Sequence, residues 1–196
     1  QDLDGDGTPE WIVNSWKNDV PFYIWRLGTT KRTTTDKNQK PIEATVPTLK
    51  RSTIGTKGNG HGLGVGDLNG DGNLDLLVGQ GWYQSPGKNQ FSTPWKFHAD
   101  WKLHASDPIL VKDLNGDGRN DLILGVAHGF GLHWWEQKAP ASDGTLQWEE
   151  HLIDDTFSQP HTLHLADLTG DGKLELITGK RVYAHNGRDP GGKEPP

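Results

Sequence analysis

The chain has 196 residues, a net charge of −6, 32% hydrophobic residues, 26 glycines and no cysteine. This is about one domain's worth of chain, and the composition favours an all-β protein dense in turns over long buried helices. Disulfides are excluded, no apolar run is long enough to span a membrane, nothing at the start reads as a signal peptide, and no Lys/Arg cluster offers a nucleic-acid footprint.

The first element is a loop, Asp2-Leu-Asp-Gly-Asp-Gly-Thr-Pro-Glu10, and its pattern returns at Asp67, Asp113 and Asp167, at spacings of 65, 46 and 54 residues. After the first copy the chain reads as strands at Trp11-Ile-Val-Asn, Phe22-Tyr-Ile-Trp-Arg and Thr48-Leu-Lys-Arg. Residues 29–46, rich in Thr and Lys, form an insertion expected to be an exposed hairpin or mobile loop. The second unit is the most regular: Leu63 to Leu68, the loop, Leu74 to Val78, Gly81-Trp-Tyr-Gln, and Trp95-Lys-Phe-His. The third repeats it with Ile109 to Leu114, loop, Leu122 to Gly125, Gly131 to Gln137, and Trp148 to Ile153. The fourth has Thr162 to Leu168, its loop, Leu174 to Thr178 and a third strand at Val182-Tyr-Ala-His, then ends in a Gly/Pro-rich tail.

Four short strands per loop suggest units at about 1–57, 58–104, 105–155 and 156–188, with 189–196 as a tail. The first unit lacks its first strand and the last lacks its fourth. The expected fold is therefore a β-propeller of four-stranded antiparallel blades, with about three and a half blades in this chain. The missing blades would come from more of the same polypeptide, another chain or a homodimer, since an open half-ring leaves sheet edges unpaired.

Each loop places oxygen side chains at its first, third, fifth and ninth positions and glycines at its fourth and sixth, which suits Ca²⁺: a hard cation needing six to eight oxygens from a sharply turning backbone. The expected ligands are Asp2, Asp4, Asp6 and Glu10 with the Thr8 carbonyl; Asp67, Asn69, Asp71 and Asp75 with the Asn73 carbonyl; Asp113, Asn115, Asp117 and Asp121 with the Arg119 carbonyl; and Asp167, Thr169, Asp171 and Glu175 with the Lys173 carbonyl. An EF-hand would need a Glu at position twelve and flanking helices. Position twelve is instead Val13, Val78, Leu124 or Thr178, inside strand-like segments. The loops hold half of the 26 carboxylates, and four Ca²⁺ ions would turn the charge of −6 into +2, so the acidity belongs to these sites.

The pattern Asp-Leu-Asn-Gly-Asp-Gly-x-x-Asp-Leu resembles the FG-GAP/VCBS calcium-binding repeats of β-propellers, found in integrin α-subunits and many bacterial secreted proteins. That resemblance implies loops joining the inner two strands of each blade, a ring of six to eight blades and an extracellular or periplasmic location. His61-Gly-Leu-Gly, Gly81-Trp-Tyr, Ala127-His-Gly-Phe-Gly-Leu-x-Trp-Trp-Glu-Gln, Ser158-Gln-Pro-His-Thr-Leu and Gly179-Lys-Arg-Val-Tyr-Ala-His are similar to the propeller of secreted proteins related to the fungal aldos-2-ulose dehydratase. This second resemblance implies action on keto-sugars.

With the loops as a ruler, His61 and His161 stand six residues before a loop Asp, and His128 and the Lys180-Arg181 pair follow second strands. First-strand starts and second-strand ends share one end of a propeller channel, because the two strands are antiparallel neighbours. His61, His128, His161, Lys180 and Arg181 are thus the candidate catalytic residues, with Gln80, Trp82, Tyr183 and His185 as substrate contacts. Imidazoles suit a transition metal such as Zn²⁺; alternatively a His removes a proton beside a carbonyl while Arg181 or Lys180 stabilises the enolate. His98, His151, His133 and His164 read as packing residues. The functional expectation is a carbohydrate lyase or dehydratase; the rivals are a glycan- or protein-binding module and a self-assembling scaffold.

Overall fold

The computed structural model describes residues 1–17, 19–105 and 108–195. It is an all-β chain of successive antiparallel sheets in sequence order. β1 (Trp11–Val13), β2 (Phe22–Thr35) and β3 (Pro41–Gly55) form a three-stranded sheet. β4 (Leu63–Gly66), β5 (Asp75–Val78), β6 (Gly81–Gln84) and β7 (Lys96–His98) form a four-stranded one, as do β8 (Leu110–Lys112), β9 (Asp121–Gly125), β10 (Phe130–Lys138) and β11 (Gln147–Ser158). β12 (Pro160–Ala166) and β13 (Glu175–Lys180) make a final two-stranded sheet. Among the described residues no helix is long and apolar enough to cross a membrane.

Period-two patterning explains how the sheets stack. In β5, Leu76 and Val78 enter the cluster built with Phe22, Ile24, Ile54, Tyr83 and Trp95, while Leu77 points the other way into the cluster of Trp82, Trp101, Ile109, Leu122 and Leu124. β9 does the same: Leu122 and Leu124 face the second sheet, and Ile123 packs with Leu132 and Leu163 towards the fourth. β5 and β9 are buried on both faces because the second and third sheets are each sandwiched between neighbours, so these strands read as continuous apolar runs.

The inner strands approach closely. β4 and β8 run parallel, with a bridge between Gly64 and Ile109, and the Ile109 N–H donates to the Leu63 carbonyl at 2.7 Å. A Cβ on Gly64 would lie 2.6 Å from the Ile109 oxygen, and one on Gly66 would lie 2.5 Å from the Val111 Cβ. At the outer side of the same interface, Trp101 meets Trp148 edge-on at 5.8 Å. The inner face, with Leu63, Val65, Leu110, Val111 and Leu165, borders an open groove of about 530 Å³.

The segment at 29–46 is a hairpin: β2 and β3 pair continuously from Tyr23↔Thr53 to Thr35↔Pro41. Asp36 closes its turn by accepting the Asn38 and Lys40 N–H groups at 2.8 and 2.9 Å. The expected strand at Val182-Tyr-Ala-His does not form. Tyr183, His185 and Asn186 adopt φ of 61°, 50° and 58°, and Ala184–Gly187 is a short 3-10 turn. Left-handed residues in succession cannot extend along a neighbouring strand. The tail folds back, with Tyr183 N–H donating to the Gly192 carbonyl at 3.0 Å.

Gly64→Ala is expected to cost about 1–3 kcal/mol, because the added methyl meets main chain that cannot yield. Gly179→Ala, whose Cβ would find only the Thr162 Cβ at 3.8 Å, is expected to leave the denaturation midpoint nearly unchanged. Equal midpoints for the two variants would refute the close inner approach.

Candidate functional site

The four loops share one internal hydrogen-bond plan. The first-position Asp accepts N–H bonds from the glycines at positions four and six: Asp67 from Gly70 and Gly72, both at 2.9 Å, with the same pair at Asp2, Asp113 and Asp167. Those glycines all lie at φ between 73° and 86°, where a side chain would be strained. The fifth-position Asp accepts the N–H of position seven, as in Asp71 with Asn73 and Asp171 with Lys173. The ninth-position carboxylate reaches back to the N–H of position two, giving Glu10 to Leu3, Asp75 to Leu68, Asp121 to Leu114 and Glu175 to Leu168. Asp75 and Asp121 also accept, through their other oxygen, from Ser85 and Gln137 at the end of the third strand.

This arrangement suits a hard divalent cation. The converging donors are all oxygens, and Asp2, Asp4 and Asp6 offer atoms within 4.8 Å of one another. Burial, and then the charges of Asp71 and Asp67, push the Asp75 carboxyl up to about 7, despite two hydrogen bonds that oppose the rise. A bound cation would neutralise that repulsion. In the third loop the Arg119 side chain already pairs with Asp117, a competing positive charge.

The opposite end of the sheets carries a different chemistry. His61 lies before β4, His128 in the turn after β9, His161 on β12 and Arg181 just after β13, so successive sheets deliver them to one place. Hydrogen bonds to the connecting main chain fix these segments. The Asn14 side-chain amide donates to the carbonyls of Gly60 and Gly62 at 2.9 and 2.8 Å. Ala127 donates to His104 at 3.0 Å, Gln159 to Gly129 at 2.7 Å and Arg181 to Gln159 at 2.9 Å. Gln159, fully buried at φ 57°, is the strained corner of this belt.

Here the His61 and His128 Nε2 atoms approach to 3.2 Å, and His128 Nδ1 lies 2.9 Å from Asp189 Oδ2. Arg181 also comes within 3.0 Å of His128 Nδ1. One nitrogen cannot both donate and accept, and the carboxylate is the stronger partner, so Nδ1–H donates to Asp189. Arg181 then keeps Gln159 Oε1 at 3.3 Å and Asp189 at 3.4 Å. His161 Nε2 must donate to the Ala127 carbonyl at 2.8 Å, leaving the lone pair on Nδ1. Arg181 touches the same carbonyl at 3.5 Å.

Of the residues expected at this site, His61, His128, His161 and Arg181 meet, and His185 stacks on His128 at 4.5 Å. Lys180 is drawn aside, its Nζ donating to the Gly191 carbonyl at 2.6 Å. Trp82 is only 2% exposed, with its N–H on Asp100 and its ring on His98, so it is a core residue without a face for a ligand. Tyr183 is 61% exposed and turned into the tail by its left-handed backbone. Gln80 lines a cleft of about 260 Å³ with His61, His104, Asn59, Lys102 and Trp16. His104, Asp189 and Trp16 are site residues that the loop ruler does not reach. The His104 ring lies tilted against those of His61 and His128, with centroids 4.5 and 4.8 Å away, and Trp16 is 75% exposed. His98 and His151 pack on Trp82 and Trp134, as expected of outer strands.

Burial, followed by His104, His128, His161 and Arg181, holds His61 down to about 4 from 6.5. Burial likewise lowers His104 and His161. The unfolded chain takes up the His61 proton near 6.5 and the folded chain resists it until about 4, so folded stability from this group is complete above 6.5 and is lost as pH falls through that window. An imidazole NMR titration should find His61 neutral at pH 5.5; a midpoint near 6.5 would contradict the packed cluster.

Residues 2–78 and 113–178 match the FG-GAP-like repeat, a span that includes His61, His128 and His161 and leaves out His104, Arg181 and Asp189. No curated protein and no solved structure matches the chain. The sheets, the fourfold loop and this match together establish that the chain belongs to the FG-GAP-like repeat family.

Proposed function

We propose that the chain is part of a calcium-stabilised, secreted propeller that acts on carbohydrate by β-elimination. The observation that carries this reading is the Ala127 carbonyl, which anchors both the Nε2–H of His161 and the guanidinium of Arg181. A neutral imidazole with a free Nδ1 lone pair thereby sits beside a cation. In this reaction His161 takes the proton from the carbon next to a carbonyl or carboxylate, and Arg181 stabilises the resulting enolate. The electron pair becomes the new C=C as the β C–O bond breaks, and the proton passes to the departing oxygen. Asp189 and Gln159 hold Arg181 in place.

The substrate class is supported by the cleft beside the cluster, where exposed Trp16 offers a ring face and Asn59, Gln80 and Lys102 offer polar groups. Stacking of a pyranose on an exposed aromatic is the usual solution to binding a ring with apolar faces and polar edges. The resemblance of Ala127–Gln137, Ser158–Leu163 and Gly179–His185 to keto-sugar dehydratase propellers points the same way. Exposed Trp11, Leu27 and Leu49 on the first sheet and Leu168, Leu174 and Val182 beside the strands of the last support further blades flanking this segment. The same cleft without turnover would make the protein a glycan-binding module, and Trp16 favours that as the second reading.

Ca²⁺ removal by EGTA should lower the melting temperature by several degrees and re-addition should restore it; an unchanged melt would sink the calcium assignment. Incubation with keto-sugars and uronate oligosaccharides should yield the ultraviolet-absorbing unsaturated product, and His161→Ala should slow it by about 10²–10⁴-fold. Absence of product from every substrate, or undiminished turnover in the variant, would remove the elimination reading.

A further inference from the structure

We propose that His61, His104 and His128 form a three-histidine transition-metal site, with Asp189 as the outer partner that orients His128. The three residues come from three different connections: before β4, before β8 and after β9. They offer nitrogens that all lie within 4.8 Å of one another. The 3.2 Å separation of His61 and His128 Nε2 is the decisive distance. Two nitrogens bound to one tetrahedral ion at about 2.0–2.1 Å each stand about 3.3–3.4 Å apart, so this pair is spaced for a shared metal. His104 closes the third corner, its ring 4.5 Å from His61 and 4.8 Å from His128, and it is exposed enough to adjust its rotamer.

The bond from His128 Nδ1–H to Asp189 does for this ring what a carboxylate does behind a metal-bound imidazole: it fixes the tautomer that presents Nε2 and raises its basicity. His161 is not a ligand, because its Nε2–H is committed to the Ala127 carbonyl and its ring stands 6.2 Å from His128. His185 stacks on His128 and bonds Asp189, which makes it part of the support. Three imidazoles without carboxylate ligands select Zn²⁺, Cu²⁺, Ni²⁺ or Co²⁺ over Ca²⁺ and Mg²⁺, so the chain would carry hard-cation loops at one end and a soft-cation site at the other. A fourth position would open towards the cleft that His61 and His104 share with Gln80 and Trp16. The proposal stands independently of the elimination chemistry.

The test is calorimetric titration of the chain with Zn²⁺ in excess Ca²⁺, which keeps the acidic loops filled, together with electron paramagnetic resonance of the Cu²⁺ form. One equivalent of Zn²⁺ should bind, and the Cu²⁺ spectrum should show hyperfine coupling from imidazole nitrogens. His61→Ala, His104→Ala and His128→Ala should each weaken binding at least about tenfold, and Asp189→Asn by about 10–100-fold. His164→Ala, at an exposed position on β12, should bind as the unaltered chain does. Melting in Ca²⁺ checks that each variant is folded. Failure to bind Zn²⁺, an oxygen-only Cu²⁺ spectrum, or affinity indifferent to all three histidines would overturn the site. The elimination assay can succeed or fail separately, so either reading can fall without the other.

Discussion

Asp75 is fully buried, and its two oxygens accept main-chain N–H bonds from opposite sides, Leu68 in the loop and Ser85 at the end of β6. Asp121 repeats this with Leu114 and Gln137. A carboxylate in such a place costs solvation, and two main-chain donors offset only part of it. The return is geometric: one side chain ties the first-strand loop to the third strand, and therefore sets how three of the four strands in a sheet meet. The first and fifth positions then have little freedom left, since their own oxygens are held by the glycine N–H groups of the same loop. Oxygens held this way are already aimed, and a cation would relieve the repulsion between them.

The two ends of the sheets obey different rules. At the loop end, each repeat makes most of its bonds within nine residues, and the Asn120 and Gln137 side chains of the third unit add donors to the Asp67 and Leu68 carbonyls of the second. At the other end, no repeat is self-sufficient: the Gly60–Gly62 segment is held by Asn14, His104 by Ala127, and Gly129 by Gln159. These bonds cross from sheet to sheet, so the histidines inherit their mutual distances from the packing of neighbours. A site assembled this way responds to any change in how the sheets stack, even one far from the imidazoles.

This difference explains what could be read from the chain. Local order leaves a local signature, so the loops and the strands of the second and third units were legible in spacing and alternation alone, whereas the Thr/Lys-rich segment at 29–46 read as either a hairpin or a mobile loop and only the β2–β3 pairing decides for the hairpin. Positions tied to the loop register, His61, His128, His161 and Arg181, could be placed by counting from it. His104 follows Trp101 in a connection with no fixed offset from Asp113, and Asp189 sits in a Gly/Pro-rich tail that reads as an ending. Trp82 misled because an aromatic beside Gly81 looks equally suited to a ligand and to the core; only the neighbouring sheet, with Trp101 and Leu122, decides between them. Val182–His185 misled for a related reason, since β-branched and aromatic residues favour a strand and the folded-back tail overrides that preference.

Gly64 and Gly66 give the interface between the second and third sheets a thin inner edge, while Trp101 and Trp148 make its outer edge thick. Two bodies in contact along a tapering seam are rotated relative to one another, as the stones of an arch are by their cut. At this seam the taper sets the angle between the two sheets. Because the narrow side already seats glycines of the second sheet against Ile109 and Val111 of the third, the second sheet has no side chain left there to trim. On the second sheet's side a drift in the angle is left to the rim, where Trp101 stands three residues before His104 in the chain.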